Sequence, residues 1–155
     1  MMTCIFPSGS QTSLRHVVVD VLVLSKDENQ ILLVRRAAHL NNGGKWGVAG
    51  GYLERNETCK QAALREVREE TGYTVSEPRL LAVIDKPNRT NEDMQNVSFL
   101  YSVNALEQVG EPDAESSEIR WFPITSLPAE TEFAFDHFEH IMFYLDKEKT
   151  QHENL

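Results

Sequence analysis

Residues 65–73 read "REVREETGY", a run that places three carboxylates and two guanidiniums within nine positions. On a helix, Glu66, Glu69 and Glu70 fall at i, i+3 and i+4 and share one face within about 100°. Like charges at that spacing weaken an isolated helix by roughly 0.2–0.5 kcal/mol per pair. Three converging carboxylates, however, make an oxygen-rich site for a hard dication such as Mg²⁺, which shares itself between carboxylates and substrate phosphates. Two bare charges 4 Å apart repel by about 4 kcal/mol at an effective dielectric of 20, and a dication offsets that repulsion. A solvated face is the usual fate of a charged run. Here the run shares its surroundings with Gly50, Gly51, Glu57 and Gly72.

The helix that carries this face has readable ends. Asn56 is a candidate N-cap, and Thr58 with Gln61 offers a capping box as the alternative. Gly72 supplies the C′ stop after Thr71. Cys59, Ala62 and Ala63 are small and sit on or beside the glutamate face, which lets it approach neighbouring backbone. Leu64 and Val67 are the expected core contacts. Upstream, "HVVVDVLVLS" (16–25) reads as a buried strand, with "QILLVRR" (30–36) as its hairpin partner. "NNGG" (41–44) marks a loop before the Gly-punctuated strand "KWGVAGGYLE" (45–54), in which Trp46 reads as core packing. Residues 1–14 read as a loose tail, because Pro7 and Gly9 discourage regular structure.

Downstream, "TVSEPRLLAVIDKP" and "QNVSFLYSVNAL" are strand-like and are joined by the polar loop "NRTNEDM"; "EIRWFPI" is a further short strand. "DHFEHIMFYLDKEK" predicts a closing helix with Phe138, Ile141, Met142 and Leu145 at helical spacing. His137 and His140 within it read as surface or satisfied histidines. Strands interleaved with two helices predict a mixed sheet covered by helices.

Length and composition narrow the function. A chain of 155 residues fits one domain with a real core. Its 15 Lys+Arg stand against 24 Asp+Glu, a formal charge of −9 that disfavours long nucleic acid as a partner. Small phosphorylated molecules stay open, since a bound cation dominates its local field. Cys4 and Cys59 show no zinc spacing and read as reduced thiols. No secretory signal or membrane span is read in the chain, so the expected location is cytoplasmic.

Residues 51–73, "GYLERNETCKQAALREVREETGY", fill every defined place of the Nudix box: Gly51, Glu57, Arg65, Glu66, Val67, Glu69, Glu70, Gly72 and Tyr73. At ordinary residue frequencies a chance match is of the order of one in ten million. The chain resembles the Nudix (MutT-like) hydrolases, over roughly residues 16–145 with weaker similarity outside the box. The resemblance implies an α/β fold, an α/β/α sandwich with a central mixed β-sheet, over residues 15–147 between tails 1–14 and 148–155. It implies Glu66 and Glu70 as principal Mg²⁺ ligands, with Mn²⁺ as a substitute. Glu69 stands where the family has a further ligand or the catalytic base, and Glu57 is an outer ligand or the partner of Arg65. Arg65 is expected to bridge loop and helix, and the Gly50 carbonyl to reach the metal. Glu115, six residues before Trp121, is the second candidate base. Ala49 departs from the Pro of many members.

The implied reaction is hydrolysis of a pyrophosphate bond in a nucleoside diphosphate linked to another group. Residues around 84–103 resemble the nucleotide-flanking segment of ADP-ribose pyrophosphatases, and "FAFDHFEHI" resembles a stretch found in Nudix domains of NAD metabolism. Both favour ADP-ribose or a related nucleotide sugar, with Arg89 and Arg36 as candidate substrate-binding cations. The alternatives are a house-cleaning nucleoside triphosphatase, a dinucleoside polyphosphate hydrolase, and a non-catalytic sensor of ADP-ribose-like ligands. Many relatives are dimers, so a homodimer is a further expectation.

Overall fold

The computed structural model describes residues 2–87 and 95–152. In chain order its strands are β1 (Met2–Ile5), β2 (Gln11–Leu14), β3 (Val17–Leu24), β4 (Gln30–Arg36), β5 (Trp46–Gly47) and β6 (Ala49–Tyr52). Helix α1 (Cys59–Thr71) follows, then β7 (Tyr73–Val75), β8 (Arg79–Ile84), β9 (Val97–Gln108), β10 (Ser116–Pro123) and helix α2 (His137–His152).

β3 is the organising strand. Its β-branched run fits a pleated, packed surface, and burial on both faces accounts for an almost continuous apolar sequence. β9 runs parallel to it, in register from Val17–Val97 to Leu24–Asn104. The opposite edge of β3 is divided. Residues 18–21 pair with β6, while β4 joins only through Val23–Leu32 and Leu24–Ile31 before turning outward to β10 and β5. β7 and β8 complete an eight-stranded mixed sheet on the far side of β9. The expected β3–β4 hairpin is therefore present but short, because β6 takes the rest of the β3 edge.

Alternation along β3 builds the two layers. Val19, Val21 and Val23 pack with Ala62, Ala63 and Val67 of α1. Leu22 and Leu24 pack on the other face with Ile141 and Tyr144 of α2, together with Trp46. Period-2 side-chain geometry thus gives one helix per face and the α/β/α sandwich. By the same alternation Asp20 points toward α2, where it is buried.

Four local expectations are corrected. Thr58, not Asn56, caps α1: its Oγ1 accepts the Gln61 N–H at 3.3 Å while the Gln61 side chain accepts the Thr58 N–H at 2.8 Å. Two bonds close that box, whereas Asn56 sits in the preceding turn with a left-handed φ of 74°. Leu64 is exposed rather than core, because Ala63 and Val67 occupy the inward arc. Residues 2–14 form the β1–β2 hairpin, with Pro7 and Gly9 used in its turn rather than against it. Finally, α2 continues to His152, past the boundary read at 147–148. At the other end of α1, Gly72 adopts φ 73° and returns its N–H to the Arg68 carbonyl at 2.9 Å, the left-handed cap expected of it.

Candidate active site

Arg65 organises the glutamates of α1. Its Nε and Nη2 donate to the two Glu57 oxygens at 3.1 and 2.7 Å, and Nη2 also reaches the Tyr52 carbonyl at 3.1 Å. Nη1 donates to Glu66 at 2.7 Å and to Glu69 at 3.1 Å. A planar fork binding one carboxylate twice fixes direction as well as charge, so Arg65 ties the 52–57 loop to the helix. Hydrogen bonding from Arg65 holds the Glu57 carboxyl below its ordinary value. Glu69 is the most open member, with half of its side chain exposed.

Glu70 lies deeper and turns the other way, accepting the Gly50 N–H at 3.0 Å. Burial pushes its carboxyl up to about 8; the Gly50 N–H opposes that rise and the Glu66 charge adds to it. Burial raises Glu66 as well, against the pull of Arg65. Both carboxyls are displaced upward because burial outweighs the neighbouring guanidiniums. Gly51 makes the packing feasible: a Cβ there would stand 2.4 Å from Glu66 Oε1.

Glu66, Glu69, Glu70 and Arg65 line a cleft of about 530 Å³. Arg36 joins them there, its guanidinium 5.2 Å from the Phe135 ring and its Nε bonded to the Asn41 carbonyl at 2.9 Å. Its charge opposes the upward shift of Glu70, which places a cation within reach of the carboxylates. Glu115 also lines the cleft; its N–H donates to Asp113 Oδ1 at 2.9 Å. The Asp113 N–H in turn donates to the Glu69 carbonyl at 2.9 Å, lacing this loop to the end of α1. Glu57 contacts the site through Arg65. Gly50 meets it through its N–H. Arg89 lies outside the described residues.

Asp113, Phe135, Asp20 and His137 line the same cleft and were not among the residues singled out for chemistry. Asp20 had left a signal, a lone acid inside "VVVDVLVL". Phe135 and His137 lay in the "FAFDHFEHI" run, with nothing local to show which side chains face a cleft.

The donor chemistry fits a hard divalent cation: carboxylate oxygens, one carboxyl buried and displaced upward, and a glycine whose missing side chain leaves room for Glu66. Among the described residues no three His, Cys, Asp or Glu side chains already surround one point. Arg65 engages Glu66 and Glu69, while Glu70 turns toward Gly50.

Fold and site together define an α/β/α domain whose acidic helix face opens onto a cleft. Residues 14–143 match the NUDIX domain model, and the chain belongs to the Nudix family. An ADP-ribose pyrophosphatase of Methanocaldococcus jannaschii is 32% identical over 133 residues, covering 84% of this chain and 74% of the relative. The NAD-capped RNA hydrolase NudC of Vibrio atlanticus is 36% identical over 111 residues, covering 70% of this chain but only 38% of its own length. Among solved structures, the Nudix domain of Shewanella oneidensis NrtR complexed with ADP ribose superposes with a TM-score of 0.72 at 22% identity, covering 92% of both chains. A bifunctional NMN adenylyltransferase/ADP ribose pyrophosphatase of Francisella tularensis, complexed with AMP and manganese, gives 0.69 at 25% identity over 88% of this chain and 42% of that one.

Proposed function

We propose that this chain, through residues 15–147, is a Mg²⁺-dependent pyrophosphohydrolase that cleaves ADP-ribose or a related nucleotide sugar in the cytoplasm. The observation that carries the reading is the complete glutamate face of α1, held by Arg65 and Gly50, at the wall of a cleft that also holds Arg36. The relatives named ADP-ribose pyrophosphatase and the fold shared with an ADP-ribose complex support the substrate class.

Each residue has a role in that reaction. Glu66, Glu70 and the Gly50 carbonyl would hold the cation, with Glu69 and Glu57 as further donors. Mg²⁺ or Mn²⁺ bound there would supply neutralisation of phosphate oxygens and a lowered water pKa. Glu69 takes the proton of the attacking water, and Glu115 is the second candidate for that transfer. Arg65 keeps Glu66 and Glu69 aimed. Arg36 and Arg89 bind the phosphate or the terminal ribose through planar donor forks. The working unit is a homodimer acting on small nucleotides rather than on long nucleic acid.

The test is kcat/KM over a panel of ADP-ribose, NADH, diadenosine tetraphosphate, dGTP and a nucleotide sugar, with Mg²⁺ and with EDTA. ADP-ribose leading the panel, with all turnover abolished by EDTA, supports the reading. Preference for another member keeps the reaction and discards the substrate. An ADP-ribose sensor would bind without cleavage and would tolerate Glu69→Gln and Glu70→Gln with affinity intact.

A further inference from the structure

The buried acid on β3 has no role in the reaction as described. Asp20 stands opposite Gly50 in the β3–β6 register and is 5% exposed. A carboxylate buried in a sheet needs partners. The Ser98 hydroxyl donates to Asp20 Oδ2, His137 Nε2 lies 3.5 Å from Oδ1, and His140 Nδ1 lies 3.6 Å from Oδ2. His137 reaches further. Its Nδ1 accepts the Val48 N–H at 3.2 Å, which assigns the ring proton to Nε2, facing Asp20. The imidazole is thus fixed at both nitrogens, one by β3 and one by the β5–β6 junction.

The strand between these groups has no slack. A Cβ on Gly47 would lie 2.8 Å from His137 Nδ1, and a Cβ on Gly50 would lie 2.2 Å from the Val19 carbonyl and 3.2 Å from Asp20 Oδ1. Residues 47–50 are therefore seated between the α2 imidazole and β3. Two residues beyond Val48, the Gly50 N–H donates to Glu70 on α1. An unbroken line of contacts runs from His137 through Val48 and Gly50 to Glu70, joining both helices across the sheet.

We propose that Asp20 and His137 are positioning residues: they set the 48–50 backbone, and through it the presentation of Gly50 and Glu70 to the cation. The inference rests on the reading of Glu70 and Gly50 as cation-binding groups. The pair acts through backbone and touches no reacting atom. Groups that hold direct metal ligands in place are commonly worth ten- to a hundred-fold in metal affinity or activity.

The test measures Mn²⁺ affinity by the electron paramagnetic resonance signal of the free ion. The Gly50 and Val48 amide signals are followed by ¹H–¹⁵N NMR in metal-free protein. His137→Ala weakens Mn²⁺ binding about ten- to a hundred-fold and shifts both amides. His137→Asn keeps an acceptor at the Nδ1 position and recovers most of the affinity. His137→Gln mimics only Nε2 and does not. Ile141→Val, which trims the core cluster shared with Trp46 and Val48 but removes none of these hydrogen bonds, leaves Mn²⁺ affinity unchanged. If His137→Ala does not fold, the contrast between Asn and Gln decides. Equal affinity in those two variants overturns the proposal, as does a loss in Ile141→Val matching that of the His137 variants. Wild-type Mn²⁺ affinity in Glu70→Gln overturns instead the reading beneath it.

Discussion

Replacing Gly51 with alanine separates catalysis from folding. The added Cβ would lie 2.4 Å from Glu66 Oε1, 2.7 Å from its Cδ and 2.8 Å from Oε2. An ordinary carbon–oxygen contact needs about 3.4 Å, so the carboxylate must retreat by roughly 1 Å. The three nearest atoms all belong to the Glu66 carboxyl, and Gly51 is extended strand with no positive φ, so the added carbon presses first on that side chain. Glu66 is the end of a flexible side chain, and its retreat breaks its 2.7 Å bond to Arg65. Misplacing a catalytic group by 1 Å costs about a hundredfold in rate, or about 2.7 kcal/mol of barrier. Gly50→Ala is the contrast: its Cβ would meet the Val19 backbone carbonyl at 2.2 Å, which no rotamer relieves. Purified Gly51→Ala is therefore expected to fall about a hundredfold in EDTA-sensitive kcat with a near-native Tm, while Gly50→Ala loses Tm heavily. Wild-type turnover in Gly51→Ala would refute the placement of Glu66 at the reacting centre. A Tm loss equal to that of Gly50→Ala would refute the steric argument.

The raised carboxyl of Glu70 makes stability depend on pH in the metal-free protein. Its folded value of about 8 lies above the reference 4.5, so the folded state holds the proton longer; this contribution is full below pH 4.5 and is lost as pH rises to 8. The loss, of the order of a few kcal/mol, should vanish in Glu70→Gln and shrink with added Mg²⁺ in Tm measured from pH 5 to 8.5. Arg65→Lys replaces a fork with a point donor. It is expected to cost about 2 kcal/mol in urea unfolding and at least tenfold in kcat, since Glu57, Glu66 and Glu69 all lose a fixed partner. Glu69→Gln and Glu115→Gln assign the base: the true base loses about 10²–10⁴ in kcat and the acidic limb of its pH–rate profile, while the other variant keeps that limb.

Much of this was legible locally. The capping signals at Thr58, Gln61 and Gly72 bound α1 within the sequence itself, and helical spacing alone put Glu66, Glu69 and Glu70 on one face. The α2 face was equally plain from Phe138, Ile141 and Leu145. What depended on partners distant in sequence was hidden. The parallel pairing of Val17 with Val97 cannot be inferred from either strand, and it decides which edge of β3 is left for β6. The same tertiary arrangement turns Asp20, an oddity in an apolar run, into the partner of His137. It also turns His137 from a presumed bystander into a wall of the cleft. Leu64 failed for a related reason: Ala62, Ala63 and Val67 form the inward arc of α1, and Leu64 lies outside it.

The most direct measurement is ³¹P NMR of ADP-ribose incubated with the protein and Mg²⁺, with EDTA and Glu66→Gln as parallel samples. The account predicts that the pyrophosphate resonances disappear in the wild-type sample alone and are replaced by two phosphomonoester signals, AMP and ribose 5-phosphate. Persistence of the pyrophosphate resonances in the wild-type sample, or their loss in the Glu66→Gln sample at the wild-type rate, would contradict it.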